Sequence, residues 1–235
     1  MKIDDPAAVA RQYASESNLE ARRALYANAE GPDPRDIALA AVDEVEPRRV
    51  IEVGGGPGEL AARVSSELGS EVVMVDISPR MVELARARGV DAHVGDVQEL
   101  SFEDESFDVA LAAWMLFHLP DIDRGLTELV RVLRPGGRLV AVTNSVYHLE
   151  ELRALAGSAA WKRTFTRENG GEIIGRHFAH VERRDADGWI TIEDDATILD
   201  FVKSLQSDLP LELPPHDLPV RSRRASSVFV AEKAE

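Results

Sequence analysis

Two rhythms of apolar and polar positions alternate along the first two-thirds of this chain. Val50, Ile51 and Val53 make a short apolar run that holds one acid, Glu52, and breaks into Gly54-Gly55-Gly56-Pro57-Gly58. A run of that length between breakers predicts a buried strand. Glycines beyond it let the backbone take positive φ and approach a ligand closely. Leu60, Ala61, Val64 and Leu68 then recur on one helical face. The same alternation repeats downstream. Residues 72–76 predict a second strand ending in Asp76, and residues 77–81 open a helix with Ser78 as N-cap and Pro79 at its first position. Residues 90–94 predict a third strand, followed by Gly95-Asp96-Val97, and residues 106–114 a fourth. Leu126, Leu129, Val130 and Leu133 return to helical spacing. Arg134-Pro135-Gly136-Gly137 ends that helix, and residues 138–143 predict a fifth strand. Strands alternating with helices predict a doubly wound, mostly parallel α/β sheet, with its ligand crevice at the carboxyl ends of the strands.

The flanks are less regular. Residues 6–29 read as mixed helix around Val9, Tyr13, Leu25 and Tyr26, and residues 36–45 as a helix with Ile37, Ala40, Ala41 and Val45 inward. After Asn144 the pattern predicts helices over 146–156 and 166–174, a sixth strand over 178–184, a turn at Asp187-Gly188 and a helix over 193–205. Residues 208–219 are rich in proline and read as a loop, and residues 225–231 as the last strand. Residues 1–30 and 185–220 have no evident place in a sheet.

The glycine loop separates nucleotide sites from one another. A dinucleotide fingerprint asks for glycine or alanine where Glu59 stands, and a phosphate loop needs a Lys-Ser/Thr pair that is missing here. An acid followed by G-x-G-x-G instead resembles motif I of the class I S-adenosylmethionine (SAM) methyltransferases. The resemblance extends in order through Asp76, Gly95-Asp96-Val97, residues 106–114 and Phe117-His118-Leu119-Pro120-Asp121, covering roughly residues 48–145. One departure is Gly55, where many members carry Cys, a position that asks only for a small side chain. The resemblance implies a seven-stranded sheet with its last strand antiparallel, an N-terminal helical cap and a C-terminal lid insertion. The whole chain reads as one such domain. Residues 1–35 are the cap, 36–145 the SAM-binding half, and 146–235 the acceptor-side half, with the lid at about 185–220.

The resemblance also implies roles. Glu52 sits near the methionine end of SAM, and Gly54, Gly56 and Gly58 are backbone approach points. Asp76 reaches the ribose hydroxyls from about 20 residues past the loop. Asp96 meets the adenine amino group and Val97 packs on the ring, while Ile77, Met81 and Ala113 line the same pocket. The segment from Tyr13 to Arg22 resembles the cap of some small-molecule methyltransferases, where Arg22 would pair with the cofactor carboxylate. His118 follows the fourth strand near where the sulfonium methyl should point, and could take a proton from an acceptor. Tyr147 and His148 follow the fifth strand and would face the acceptor.

Composition narrows the acceptor. The chain has 235 residues, a net charge of −15 and no cysteine. The charge disfavours a nucleic-acid partner, since such binding leans on a basic footprint. The missing cysteine excludes disulfides, thiolate metal sites and a cysteine nucleophile. The six histidines offer no i, i+4 pair, so no metal site is expected. No G-x-S-x-G elbow supports a serine hydrolase. The N-terminus is polar and acidic, unlike a signal peptide. No apolar run approaches the roughly 20 residues of a membrane span, so the chain reads as cytoplasmic. The expectation is a SAM-dependent methyltransferase acting on an O or C atom of a small-molecule acceptor, releasing S-adenosylhomocysteine. Its rivals are a methyltransferase acting on tRNA or protein, and a sensor or partner subunit that binds SAM or its product without transfer.

Overall fold

Each apolar run that stops at an acid or a glycine becomes a strand, and each amphipathic segment after it covers one face. The computed structural model describes residues 24–155, 157, 163–204 and 213–235. Its strands are β1 (Ala29–Glu30), β2 (Arg49–Val53), β3 (Glu71–Asp76), β4 (Asp91–Val94), β5 (Phe107–Ala113), β6 (Leu133–Asn144), β7 (His180–Ile192) and β8 (Val220–Glu232). Its helices are α1 (Pro34–Asp43), α2 (Glu59–Arg63, continuing as a π-helical stretch Val64–Leu68), α3 (Pro79–Ala87), α4 (Ile122–Val132), α5 (Glu150–Leu155), α6 (Gly170–Ile174) and α7 (Asp195–Ser204).

All strands belong to one sheet of order β1-β7-β8-β6-β5-β2-β3-β4. Strands β4, β3, β2, β5 and β6 are mutually parallel. Strand β8 runs antiparallel between β6 and β7. This is the expected doubly wound sheet with its last strand reversed, plus a two-residue edge strand β1, antiparallel to β7. The chain moves outward one way through β3 and β4, then the other way through β5 and β6. The direction therefore reverses between β2 and β5, and crevices open at such a point.

Alternation along each central strand sorts side chains to two faces. Ile51, Val53, Val73, Val75, Ala110, Leu139 and Ala141 pack with Leu126, Leu129 and Val132 of α4. Val50, Val72, Met74, Leu111 and Val140 pack on the other face with residues of α1, α2 and α3. Ser78 caps α3 by accepting a bond from the Met81 amide (3.4 Å), with Pro79 at the first position as expected. Asp33 caps α1, accepting from the Arg35 amide (2.8 Å). The buried face of α1 is Ala38, Leu39, Ala41 and Val42, whereas Val45 is exposed and Ala40 lies outside the core. The helix ends at Asp43, short of Val45; of the residues expected inward, Ala41 is buried and Ile37 packs against the core, while Ala40 and Val45 are exposed.

Two expectations fail on the C-terminal side. Asp187-Gly188 is strand, not turn: β7 runs unbroken from His180 to Ile192. The last strand begins at Val220 rather than 225. Together they form a ribbon, which β1 joins at Trp189 and Ile190. Pairing of β6 with β8 stops at Asn144–Ser226, while β7 and β8 pair on from Asp187–Ala225 to Ile192–Val220. Six further pairs carry the ribbon roughly 20 Å past the carboxyl edge of the sheet. A third apolar cluster packs there, with Leu25, Leu149, Leu152, Ile190, Ile198 and Phe201. Of the proposed lid, residues 185–192 are thus strand and 195–204 helix. The expectations for residues 1–23 and Trp161, and the part 208–212 of the expected loop, lie outside the described residues; residues 213–219 are irregular, as expected.

Candidate functional site

The glycine loop leaves β2 at the reversal of strand order. The Gly54 amide donates to the Val75 carbonyl (2.7 Å), so the chain is still tied to β3 as it turns. Gly54, Gly56 and Gly58 all have positive φ. A Cβ on Gly54 would lie 2.6 Å from Met115 Cβ, and one on Gly58 2.7 Å from Ala85 Cβ, so both are required by packing. A Cβ on Gly56 would meet nothing within 4 Å. That glycine alone of the three presents its backbone to open space. Its amide donates to Asp76 Oδ2 (2.9 Å), while Asp76 Oδ1 accepts from the Ser78 amide (2.8 Å). Asp76 therefore fixes both the loop and the start of α3. Burial pushes its pKa up, against the pull of those two amides.

Glu52 lies behind the loop. Its carboxyl shares the face of Val50 and Met74 and is 1% exposed. Burial pushes its pKa up to about 8; the Ala61 amide opposes this and repulsion from Asp76 adds to it. Its Oε2 has no hydrogen-bond partner among the described residues. A Cβ on Gly55 would lie 2.7 Å from Met74 Sδ and 2.8 Å from Glu52 Oε2. A small side chain at position 55 would have to displace the ends of the Glu52 and Met74 side chains.

A cavity of about 270 Å³ opens in front of the loop. Of the residues expected to hold a cofactor, Gly54, Gly56, Asp76, Ile77, Met81, Asp96, Val97 and Ala113 line it, as does His118. Glu52 and Gly58 stand behind this wall. Asp96 is held by Gln98, whose amide donates to Oδ1 (2.9 Å) and whose side-chain nitrogen reaches both oxygens. Gln98 Oε1 accepts in turn from the Asp121 amide (3.2 Å), joining the turn after β4 to the start of α4. The sequence reading passed over Gln98; its signal was an aspartate two residues earlier, the spacing of an Asx turn. Met115, which the sequence does not single out, completes the wall after β5 with Leu119 and Pro120 of the run 117–121. His118 ends a 3₁₀ turn, Leu116–His118. The outer side of that turn is clamped: the Arg163 guanidinium lies 3.9 Å from the Phe117 ring centroid, and the Thr164 hydroxyl donates to the Phe117 carbonyl (3.3 Å).

A family model described as a methyltransferase domain matches residues 51–141, the stretch that builds the loop, the cavity and its walls. Residues 51–141 thus match a methyltransferase domain, on a sheet that has the class I SAM-dependent methyltransferase fold. The ubiquinone/menaquinone biosynthesis C-methyltransferase UbiE of Idiomarina loihiensis is 37% identical over 102 residues, covering 39% of this chain and 41% of that protein. The chain spans about half the length of the curated relatives it matches. Among solved structures, a Thermotoga maritima SAM-dependent methyltransferase matches with a TM-score of 0.55 at 25% identity, over 85% of this chain and 89% of that one. Phosphoethanolamine N-methyltransferase 2 of Haemonchus contortus, solved with S-adenosylhomocysteine, matches in fold with a TM-score of 0.63 at 18% identity, over 100% of this chain and 61% of that one.

The remaining candidates fall outside the matched methyltransferase domain. Tyr147 is 53% exposed and does not line the cavity. His148, expected beside the acceptor, is 1% exposed and bonded through both ring nitrogens. Nδ1 accepts from the Ala225 amide (3.0 Å), and Nε2 meets the Tyr26 hydroxyl at 2.7 Å. Burial, with Arg163 and Arg153 nearby, pushes its pKa down to about 3, so the ring is neutral with its proton on Nε2. Tyr13 and Arg22 lie outside the described residues.

Proposed function

We propose that this protein transfers the methyl group of SAM to an oxygen or carbon atom of a small-molecule acceptor, leaving S-adenosylhomocysteine. The observation that carries the reading is the open side of Gly56, locked by Asp76 at the mouth of an otherwise largely apolar cavity. Such a site suits a flat base with a hydroxylated sugar. The names of the relatives support the donor: one is a C-methyltransferase of quinone biosynthesis, another a SAM-dependent methyltransferase named as a possible histamine N-methyltransferase, and a third, an N-methyltransferase, was solved with the demethylated product.

In this reading Asp76 and Asp96 accept hydrogen bonds from the ribose and the adenine, and Ile77, Met81 and Val97 cover the base. Gly54 and Gly56 let the chain pass close by, and Tyr13 and Arg22 hold the amino-acid end. SAM supplies a methyl group already activated on a sulfonium. The protein's share is then to align the acceptor and exclude water. An imidazole nitrogen of His118, on the cavity wall, takes the acceptor's proton. Tyr147, exposed and off the wall, is the weaker candidate for that task. No helix among the described residues is long and apolar enough to cross a membrane.

Calorimetric titration with S-adenosylhomocysteine tests the reading. The parent protein should bind, and Asp76→Ala should bind at least tenfold more weakly, about 1.4 kcal/mol or more. A parent protein that takes up no S-adenosylhomocysteine would remove the cofactor and the reaction together.

A further inference from the structure

The cavity has two chemically different ends. Asp76 and Asp96 follow β3 and β4, whereas Trp114, Met115, His118, Leu119 and Pro120 follow β5. Strand β2 lies between β5 and β3, so the two ends stand roughly 10 Å apart at ~4.8 Å per strand. Asp76 and Asp96 are the only carboxylates on the wall, and no Lys or Arg lines it among the described residues.

Trp114 stands out at the β5 end. Its φ is +54°, a region that side chains of its size rarely enter and that clusters at functional sites. Two bonds hold it there, and a third fixes the partner of its ring. Its amide donates to the Val142 carbonyl (2.8 Å). Its indole Nε1 donates to Asn144 Oδ1 (3.0 Å), and the Ser226 hydroxyl donates to that same oxygen (2.8 Å). Asn144 is 8% exposed and Ser226 2%. Both lone pairs of the amide oxygen are thus engaged, and the ring is fixed to β6 and β8 at once. With its single donor turned to Asn144, the indole has only carbon left to offer the cavity.

We propose that Trp114 determines acceptor specificity, its ring serving as the platform for a flat, uncharged aromatic acceptor, and that Asn144 is the positioning residue that sets the ring. This rests on the methyltransferase reading, which assigns the carboxylate end to SAM and leaves the β5 end to the acceptor. An anionic acceptor would be desolvated beside a wall on which the formal charges of the described residues, Asp76 and Asp96, are both negative. A saturated ring of similar size would fill the space but lose the stacking that two π-systems gain.

The test uses 2-naphthol as probe, with 2-naphthoate and 2-decalol as its charged and saturated counterparts. Each is titrated into the full chain by calorimetry near neutral pH, with and without S-adenosylhomocysteine. The parent should bind 2-naphthol at least tenfold more tightly than either counterpart. Trp114→Leu should lose at least tenfold for 2-naphthol while its affinity for S-adenosylhomocysteine stays within threefold, and Trp114→Phe, which keeps a flat ring, should retain most of the binding. Asn144→Leu should weaken 2-naphthol as Trp114→Leu does, and Asn144→Asp, which keeps an accepting oxygen for both donors, should restore it. Equal affinity for the three probes, no binding of 2-naphthol by the parent, or an unchanged Trp114→Leu would overturn the proposal. Loss of S-adenosylhomocysteine binding by the parent, with discrimination among the probes intact, would sink the cofactor reading and leave the platform standing.

Discussion

Glu52 puts a carboxyl into the apolar layer formed by Val50, Leu60, Met74 and Val82, and its protonation state follows from that place. A glutamate titrates near 4.5 when unperturbed and at about 8 here. Below 4.5 both folded and unfolded chains carry the proton, and the residue costs nothing. As pH rises from there, the unfolded chain ionises first, so stability is lost steadily until the native carboxyl ionises too, at about 8. At about 1.4 kcal/mol per unit the penalty above that pH is a few kcal/mol at most. Glu52→Gln should therefore raise the melting temperature by several degrees near pH 8 and change it little near pH 4.5. An equal effect at both would mean that the native carboxyl is already ionised. The sequence made this acid legible as a strand-end carboxylate but not as a buried one. Alternation assigns position 52 to the face of Val50, but only the packing of α2 and Met74 closes that face over it. For the same reason Gly55 could be read as a loop glycine, while its conflict with two distant side chains could not.

Strand β1 is two residues long, and its attachment to β7 is a matter of glycine. A Cβ on Gly188 would lie 1.9 Å from the Glu30 carbonyl oxygen, and one on Gly31 2.4 Å from the Asp187 carbonyl oxygen. The two backbones approach because neither residue has a side chain, and Arg224 Nη2 then donates to the Glu30 (3.0 Å) and Pro32 (2.6 Å) carbonyls. Gly188→Val should force β1 from the sheet edge, costing about 1–3 kcal/mol. Amide exchange should rise across residues 29–31 and 187–190 and stay unchanged in β2 and β5. Unaltered exchange at 29–31 would show that the edge strand is held without the close approach. The same glycine explains why the C-terminal third read less clearly than residues 50–143. In the parallel half each strand is cut off by its own loop, so local pattern marks the element. Asp187-Gly188 looks locally like a turn, and only the arrival of a segment more than 150 residues earlier makes it strand.

The molecule as a whole has two regions whose responses to acid run in opposite directions. Two apolar layers sandwich the parallel strands, one of them enclosing Glu52. The third cluster, built on the β7–β8 ribbon with α5, α7 and Leu25, is smaller and stands beyond the carboxyl edge. Beside it, His148 joins Tyr26 to Ala225, and the charged groups that bear on it are Arg163, Arg153 and Arg224. Its native pKa is pushed down to about 3 from an ordinary 6.5. The stability it contributes is complete above 6.5 and is lost as pH falls toward 3, because the opened chain takes up a proton that the native ring refuses. Acidification from 7 to 5 thus relieves the penalty at Glu52 in the sheet and imposes one at His148 on the ribbon. Regions with few buried apolar contacts open at lower free energy than the core. Native-state amide exchange, corrected for intrinsic rates, should find residues 187–192 opening more easily than residues 50–53 and 109–112 at pH 7. The gap between them should widen at pH 5. His148→Gln, which keeps an acceptor for the Ala225 amide but does not titrate, should narrow the widening to the part that Glu52 contributes and leave the gap at pH 7. If ribbon and sheet open with the same free energy at both values, the chain is one cooperative unit and the ribbon is as rigid as the parallel strands.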